Sequence, residues 1–257
     1  SEGKCDVYLF QQLAEIAARS SGRIVILGIL HQSFGEYAKK LSRDTRDEWS
    51  KIQGRFVDLP LNVAGEELID LIGRAIRSTS KPEKISKIAK NTAKAISIWR
   101  PVHVESLSSS LSQCWPLHPI TAALLGPISR RRFAQNQRSV FGFLNSAEPY
   151  GFQDFLRNTE FDLDALYFPA MLWDYLRANL EPSIISSPDG HKWSIAAEAM
   201  MRAESFAKDD KLIEVLKCIA LVDLFQERSG LVSEKEFLLS CVKGLTEHKL
   251  DEILLQL

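Results

Sequence analysis

Apolar positions Val7, Phe10, Leu13, Ala14 and Ala17 recur at helical spacing until Ser20-Ser21-Gly22 breaks the pattern. The run that follows, Arg23-Ile24-Val25-Ile26-Leu27-Gly28-Ile29-Leu30, is apolar on both faces and β-branched early, which predicts a buried strand of a parallel sheet covered by helices. A long polar helix over about Phe34 to Lys51 comes next. Gly54 then leads into a short strand from Arg55 to Leu61. The spacing of Leu68, Ile69, Leu71, Ile72 and Ile76 predicts an amphipathic helix from Glu66 to Ile76 packed back on that sheet. Helix, strand, helix, strand, helix is the order of a doubly wound α/β fold.

Ser80-Lys81-Pro82-Glu83 reads as a capping box with proline in the first turn, opening a helix with the apolar stripe Ile85, Ile88, Ala89 and Ile96. From Pro101 to Gln113 the chain is serine-rich, and a domain boundary is expected there. Beyond it every periodic segment looks helical. One begins at Pro119 and is interrupted at Leu124-Leu125-Gly126-Pro127, and Val140 to Leu144 belongs to the next. Glu148 to Phe152 turns into a short helix ending near Leu156, Phe168-Pro169 opens a helix through Leu180, and Ser187-Pro188-Asp189-Gly190 turns into a helix holding Trp193. Leu212, Val215, Leu216, Ile219 and Val222 give the cleanest stripe of period 3.6. Gly230 stops that helix, Ser233-Glu234-Lys235-Glu236 caps a short one, and Gly244 precedes another from Thr246. Two short helices about a glycine turn suggest a helix-turn-helix, the start of a winged helix. Its second helix carries Glu247, Asp251 and Glu252, which suits packing or a protein partner better than DNA phosphates. The expected organisation is thus an α/β part over residues 1–100, an all-α part over 101–228 and the helix-turn-helix over 229–257, mostly helical overall.

Composition narrows the class. The chain has 257 residues, 45% of them hydrophobic and 25% charged, with a formal net charge of −1. That is ordinary for a globular protein, and no apolar run approaches the roughly 20 residues of a membrane helix. No membrane partner and a cytoplasmic location are therefore expected. Ser1 to Asp6 has neither leader nor initiator methionine and reads as an internal piece of a longer chain. Cys5, Cys114, Cys218 and Cys241 are far apart, with no C-x-x-C pair, and read as reduced structural thiols.

Charge is distributed unevenly. Residues 74–100 hold eight Lys or Arg against Glu83 alone. Within them Lys84, Lys87, Lys90 and Lys94 form a second stripe beside the apolar one, either a solvated face or a contact for a DNA or RNA backbone. No aromatic side chain interleaves the stripe to stack bases. A second concentration lies at Ser129-Arg130-Arg131-Arg132-Phe133-Ala134-Gln135-Asn136-Gln137-Arg138-Ser139, between two apolar helical segments. These arginines either snorkel at a helix end or meet a phosphate. His31, Gln32 and Ser33 stand where the first strand would end, as a polar cap or facing a bound phosphate. Arg43, Arg46 and Arg55 flank the next helix and strand. The five histidines share no metal-ligand spacing, and no G-x-S-x-G or H-E-x-x-H occurs. His118, before Pro119, reads as a helix-entry residue rather than a base.

Asp6 to Glu15, Gly28-Ile29-Leu30-His31-Gln32-Ser33-Phe34, Gln53-Gly54-Arg55-Phe56-Val57-Asp58-Leu59 and His118-Pro119-Ile120-Thr121 together resemble the large bacterial P-loop ATPases of the AAA+ type. Those ATPases occur in multigene anti-phage and restriction-like systems such as the BREX and RADAR kinds. The resemblance implies the C-terminal half of an ATPase core over residues 1–100 followed by a helical lid. It also implies ATP and Mg²⁺ as cofactors, although G-x-x-x-x-G-K-S/T is absent and their main ligands are not in this sequence. By resemblance, His31 or Gln32 would lie near the γ-phosphate, Arg46 or Arg55 would reach a neighbouring subunit's nucleotide, and Arg132 or Arg138, with Asn136 beside them, would touch phosphate from the lid. A planar, permanently charged guanidinium suits the charge that phosphoryl transfer spreads over oxygen. The implied partners are further copies in a homo-oligomer, an effector protein of the same system, and DNA or RNA. A non-catalytic scaffold or nucleic-acid-binding regulator is the alternative, with the lysine stripe supplying the contact.

Overall fold

The computed structural model describes residues 7–28, 50–51, 53–57, 65–76, 82–131, 140–160, 162–207 and 209–257. The chain forms two compact units, Ser1–Asn62 and Val63–Leu257. Among the described residues there are twelve α-helices and no strand.

In the first unit, α1 (Val7–Arg19) presents a narrow apolar stripe of which Ala14 is buried. It ends where Ser21 and Gly22 take positive φ, 52° and 82°, a backbone turn that serine tolerates poorly and glycine readily. The doubly wound parallel sheet expected here is overturned. Residues 24–28 and 55–57 form no strand, and Val25, Leu27 and Val57 are 86%, 77% and 85% exposed. A parallel strand needs a ladder partner and helices over both faces. An apolar run signals an appetite for burial but does not create the neighbours that would satisfy it. The rest of the two expected strands and most of the helix between them lie outside the described residues.

The second unit holds α2 (Gly65–Ala75), α3 (Glu83–Trp99), α4 (Val104–Gln113), α5 (Pro119–Ser129), α6 (Val140–Leu144), α7 (Phe152–Asn158), α8 (Pro169–Ile185), α9 (Gly190–Phe206), α10 (Asp210–Ser229), α11 (Lys235–Cys241) and α12 (Glu247–Gln256). Its centre is α5, buried at every position from Pro119 to Ile128, and α2, α3, α4, α6, α8 and α10 all pack on it. A helix apolar all round has no solvent face to turn outward and becomes the core itself. It runs straight through Gly126 and Pro127, where an interruption was expected. Proline costs one backbone hydrogen bond there, which burial on all sides outweighs. Gly126 also lets Leu68 approach within 3.3 Å of where a Cβ would stand.

The serine-rich stretch forms α4, with Leu107 and Leu111 buried and Ser112 bonding back to the Ser109 carbonyl at 2.8 Å. Gly73 of α2 fits against α4 because a Cβ there would meet the Gln113 Cβ at 2.9 Å. On the other side of α5, α8 and α9 lie against α10, where Trp173 and Trp193 stack at 4.3 Å. Gly230, at φ 71°, ends α10, and Thr246 caps α12 by accepting from the Lys249 N–H at 3.3 Å.

One stitch closes the chain between α5 and α8. Leu117 and Tyr167 form an isolated parallel bridge. The Tyr167 N–H donates to Pro116 at 2.9 Å, and the Tyr167 carbonyl accepts from the His118 N–H at 3.1 Å and the Thr121 hydroxyl at 3.0 Å. The tyrosine ring meets Phe143 and Phe155 edge-on, both at 5.5 Å.

Candidate functional site

The expected nucleic-acid contacts are the best described of the predicted sites. Helical geometry gathers Ile85, Ala89, Thr92, Ala93 and Ile96 on one face of α3, all buried, with Ile85 clustered with Trp115 and Leu166 and the others on the side that packs on α4 and α5. Lys84, Lys87, Lys90 and Lys94 then fall on the opposite face, and all four are exposed. Lys84 approaches Asp164 at 3.9 Å, a long surface pair of little energetic weight. Lys87, Lys90 and Lys94 have no ion pair among the described residues. Ile98 and Trp99 are exposed at the end of the same helix, so an aromatic ring does stand near the stripe, though not within it. Lys94 also borders a hollow of about 280 Å³ whose far wall carries Glu234 and Glu236, which weakens the positive potential at that end.

The arginine seam begins at the end of α5. Arg130 is its C-cap. Arg131 turns inward, pairing with Asp189 at 3.0 Å, with the two side chains 17% and 14% exposed. It also donates to the Leu224 carbonyl at 3.0 Å and lies over the Phe225 ring at 5.6 Å. This one side chain ties the end of α5 to the start of α9 and to α10. Arg132, Asn136 and Arg138 lie outside the described residues, as do His31, Gln32 and Arg46. Arg55 is described, and it pairs with Glu15 at 2.6 Å. That contact, helped by Gln11, holds the Glu15 carboxyl below its ordinary range.

The histidine of the His118-Pro119-Ile120-Thr121 motif is the N-cap of α5. Its Nδ1 accepts from the Ile120 N–H at 3.3 Å, and the residue is wholly buried. Burial lowers its pKa from 6.5 to about 3, against a small opposing pull from the Ser240 backbone, so the ring is neutral. A neutral imidazole accepting at Nδ1 is a helix cap, with no substrate-facing proton.

Sequence reading missed two arrangements. Cys218 and Cys241, on α10 and α11, carry free thiols buried side by side, and burial pushes Cys241 well above its ordinary pKa. The other is an apolar cleft of about 660 Å³ between the end of α2, the turn at Trp115-Pro116, α6 and α7. The aromatic spacing of Phe141, Phe152 and Phe155 was its only trace in the sequence.

Among the described residues no group of three or more His, Cys, Asp or Glu is placed to hold a metal ion. Arg55 and Arg131 are each engaged by a carboxylate, Arg55 in the first unit and Arg131 in the second. No described helix is long and apolar enough to cross a membrane. No known protein family matches the chain, and comparisons with curated proteins and with solved structures find no match either.

Proposed function

We propose that the chain is the helical coupling part of an ATP-driven machine of the kind its motifs resemble, acting in a cytoplasmic homo-oligomer with an effector protein of the same system. The observation that supports this reading is the junction at the end of α5. The seam holding Arg132 and Arg138 springs directly from a fully buried helix, and Arg131 fastens that point to α9 and α10. A displacement at the seam would therefore be passed to the packed helices as a rigid body, since a close-packed interior yields little. The nucleotide and its magnesium would be held by groups other than those described above. The test is ATP turnover by the full-length gene product, comparing wild type with Arg138→Ala and Arg46→Ala at matched oligomer concentration. Loss of about 10-fold or more with assembly intact is the expected result, and unchanged turnover in both variants would remove the reading.

A second reading rests on the lysine face of α3, which fits a regulator held on a DNA or RNA backbone. Phosphate contacts release counterions, so binding would weaken steeply with salt. Replacing Lys87, Lys90 and Lys94 by Gln should lower the slope of log K against log salt by about 2–3 in a fluorescence-polarisation titration with a labelled oligonucleotide. An unchanged slope would return these lysines to a merely solvated face.

A further inference from the structure

We propose that the cleft between α2, α6 and α7 is a docking groove for a cationic amphipathic helix of a partner protein. It measures about 660 Å³, within the usual range for binding clefts of roughly 300–1,000 Å³. Its floor is aromatic and aliphatic: Phe152, Phe155, Leu144 and Ile76, with Trp115 and Pro116 at one end. The apolar surface does not stop at the floor. Phe141 and Leu156, on the two lips, are each 44% exposed, and Leu163 beside the rim is exposed as well. A small molecule seated in the cleft would leave those lips in water. A helix laid along it would cover floor and lips together with side chains at i, i+3, i+4 and i+7.

Charge selects the kind of helix. Among the described residues, the charged side chains that line the cleft are Glu160 and Asp162, both acidic and both exposed. Lys243 stands 4.0 Å from Asp162 and Lys84 stands 3.9 Å from the nearby Asp164, which offsets those two charges and leaves Glu160 as the lining carboxylate with no ion pair among the described residues. A helix with lysine or arginine flanking its apolar stripe would meet these carboxylates while its stripe entered the cleft. Asn145, Gln153 and Thr159 add hydrogen-bonding groups along the walls, though Gln153 already donates to the Leu144 carbonyl at 2.8 Å.

The occupant is tested with a fluorescein-labelled peptide of about 18 residues in which leucine repeats at helical spacing and every other position is lysine or alanine. Controls are the same composition in scrambled order and the same pattern with glutamate for lysine. The intact chain should bind the patterned cationic peptide at micromolar concentration and the controls at least about 10-fold more weakly. Phe141→Asp and Leu156→Asp should each weaken binding about 10-fold, and Glu160→Lys less, these exposed sites being chosen so that folding survives. Circular dichroism and thermal midpoints check that it does. In wild type the peptide should also slow amide exchange in α7, a readout independent of any variant. Equal binding of the scrambled or acidic peptide, indifference to all three substitutions, or binding of 1-anilinonaphthalene-8-sulfonate in the cleft with no peptide binding would each overturn the proposal.

Discussion

Arg131 shows how a residue that looks like a phosphate contact is spent on architecture. Its pair with Asp189 is largely shielded from water, so removing one member leaves the other charged and uncompensated. Arg131→Met is expected to lose about 3 kcal/mol in urea unfolding, and Asp189→Leu a similar amount. The double variant should recover much of the loss, because two apolar side chains replace both charges at once. Gly190, next to that aspartate, is held by sterics instead. A Cβ there would stand 2.1 Å from the Ile185 carbonyl oxygen, and backbone cannot move aside as a side chain can. Gly190→Ala should therefore cost about 3 kcal/mol or more, read as a shifted denaturation midpoint with an unchanged slope. The sequence marked the arginine cluster as out of place among apolar helices, and Ser187 to Gly190 as a turn. It had no means of pairing Arg131 with Asp189, since that contact depends on how α5, α9 and α10 converge.

At the level of elements, period was a good guide wherever a helix had two different faces. The stripes around Ile72, Ile85 and Val215 became α2, α3 and α10, and the glycine stops at 230 and 244 fell where the backbone turns left-handed. Period failed at Ile24 to Leu30, apolar in all directions, a pattern shared by buried strands and buried helices, which yields no strand in its described part. Pro119 to Ile128 is equally apolar and is the helix expected from Pro119, without the expected break at Gly126-Pro127. The serine-rich stretch is a helix too, because Leu107 and Leu111 bury one side of it while Ser112 bonds back to its own backbone. His118, capping α5, makes that element sensitive to acid. The unfolded chain takes up a proton near pH 6.5, whereas the folded site resists it down to about 3. Its contribution is complete above pH 6.5 and drains away as pH falls from there toward 3, at about 1.4 kcal/mol per unit. Urea midpoints at pH 7.5 and 5.0 should diverge strongly in wild type and less in His118→Asn, which keeps a capping oxygen and loses the titration.

For the whole molecule, the main core cluster is drawn from residues between Ile69 and Ile253, within the second unit. Residues 63–257 expressed alone should therefore keep their helical circular dichroism and unfold in one transition. Loss of cooperativity would mean that Ser1–Asn62 is needed to complete the core. Neither this division nor the cleft was legible in the sequence, for the same reason. Both arise from which helices become neighbours, and periodicity reports only that a face wants burial. The stitch between Leu117 and Tyr167 adds a mechanical consequence. Everything from α5 to α7 lies on the chain between its two anchor points. Tension applied along the chain would cross from Leu117 to Tyr167 through those few hydrogen bonds and bypass that intervening length. The cleft takes α6 and α7 from that spared length and its other wall from the end of α2 and the Trp115-Pro116 turn, so strain would reach one wall of whatever it grips and spare the other until the stitch itself gives way.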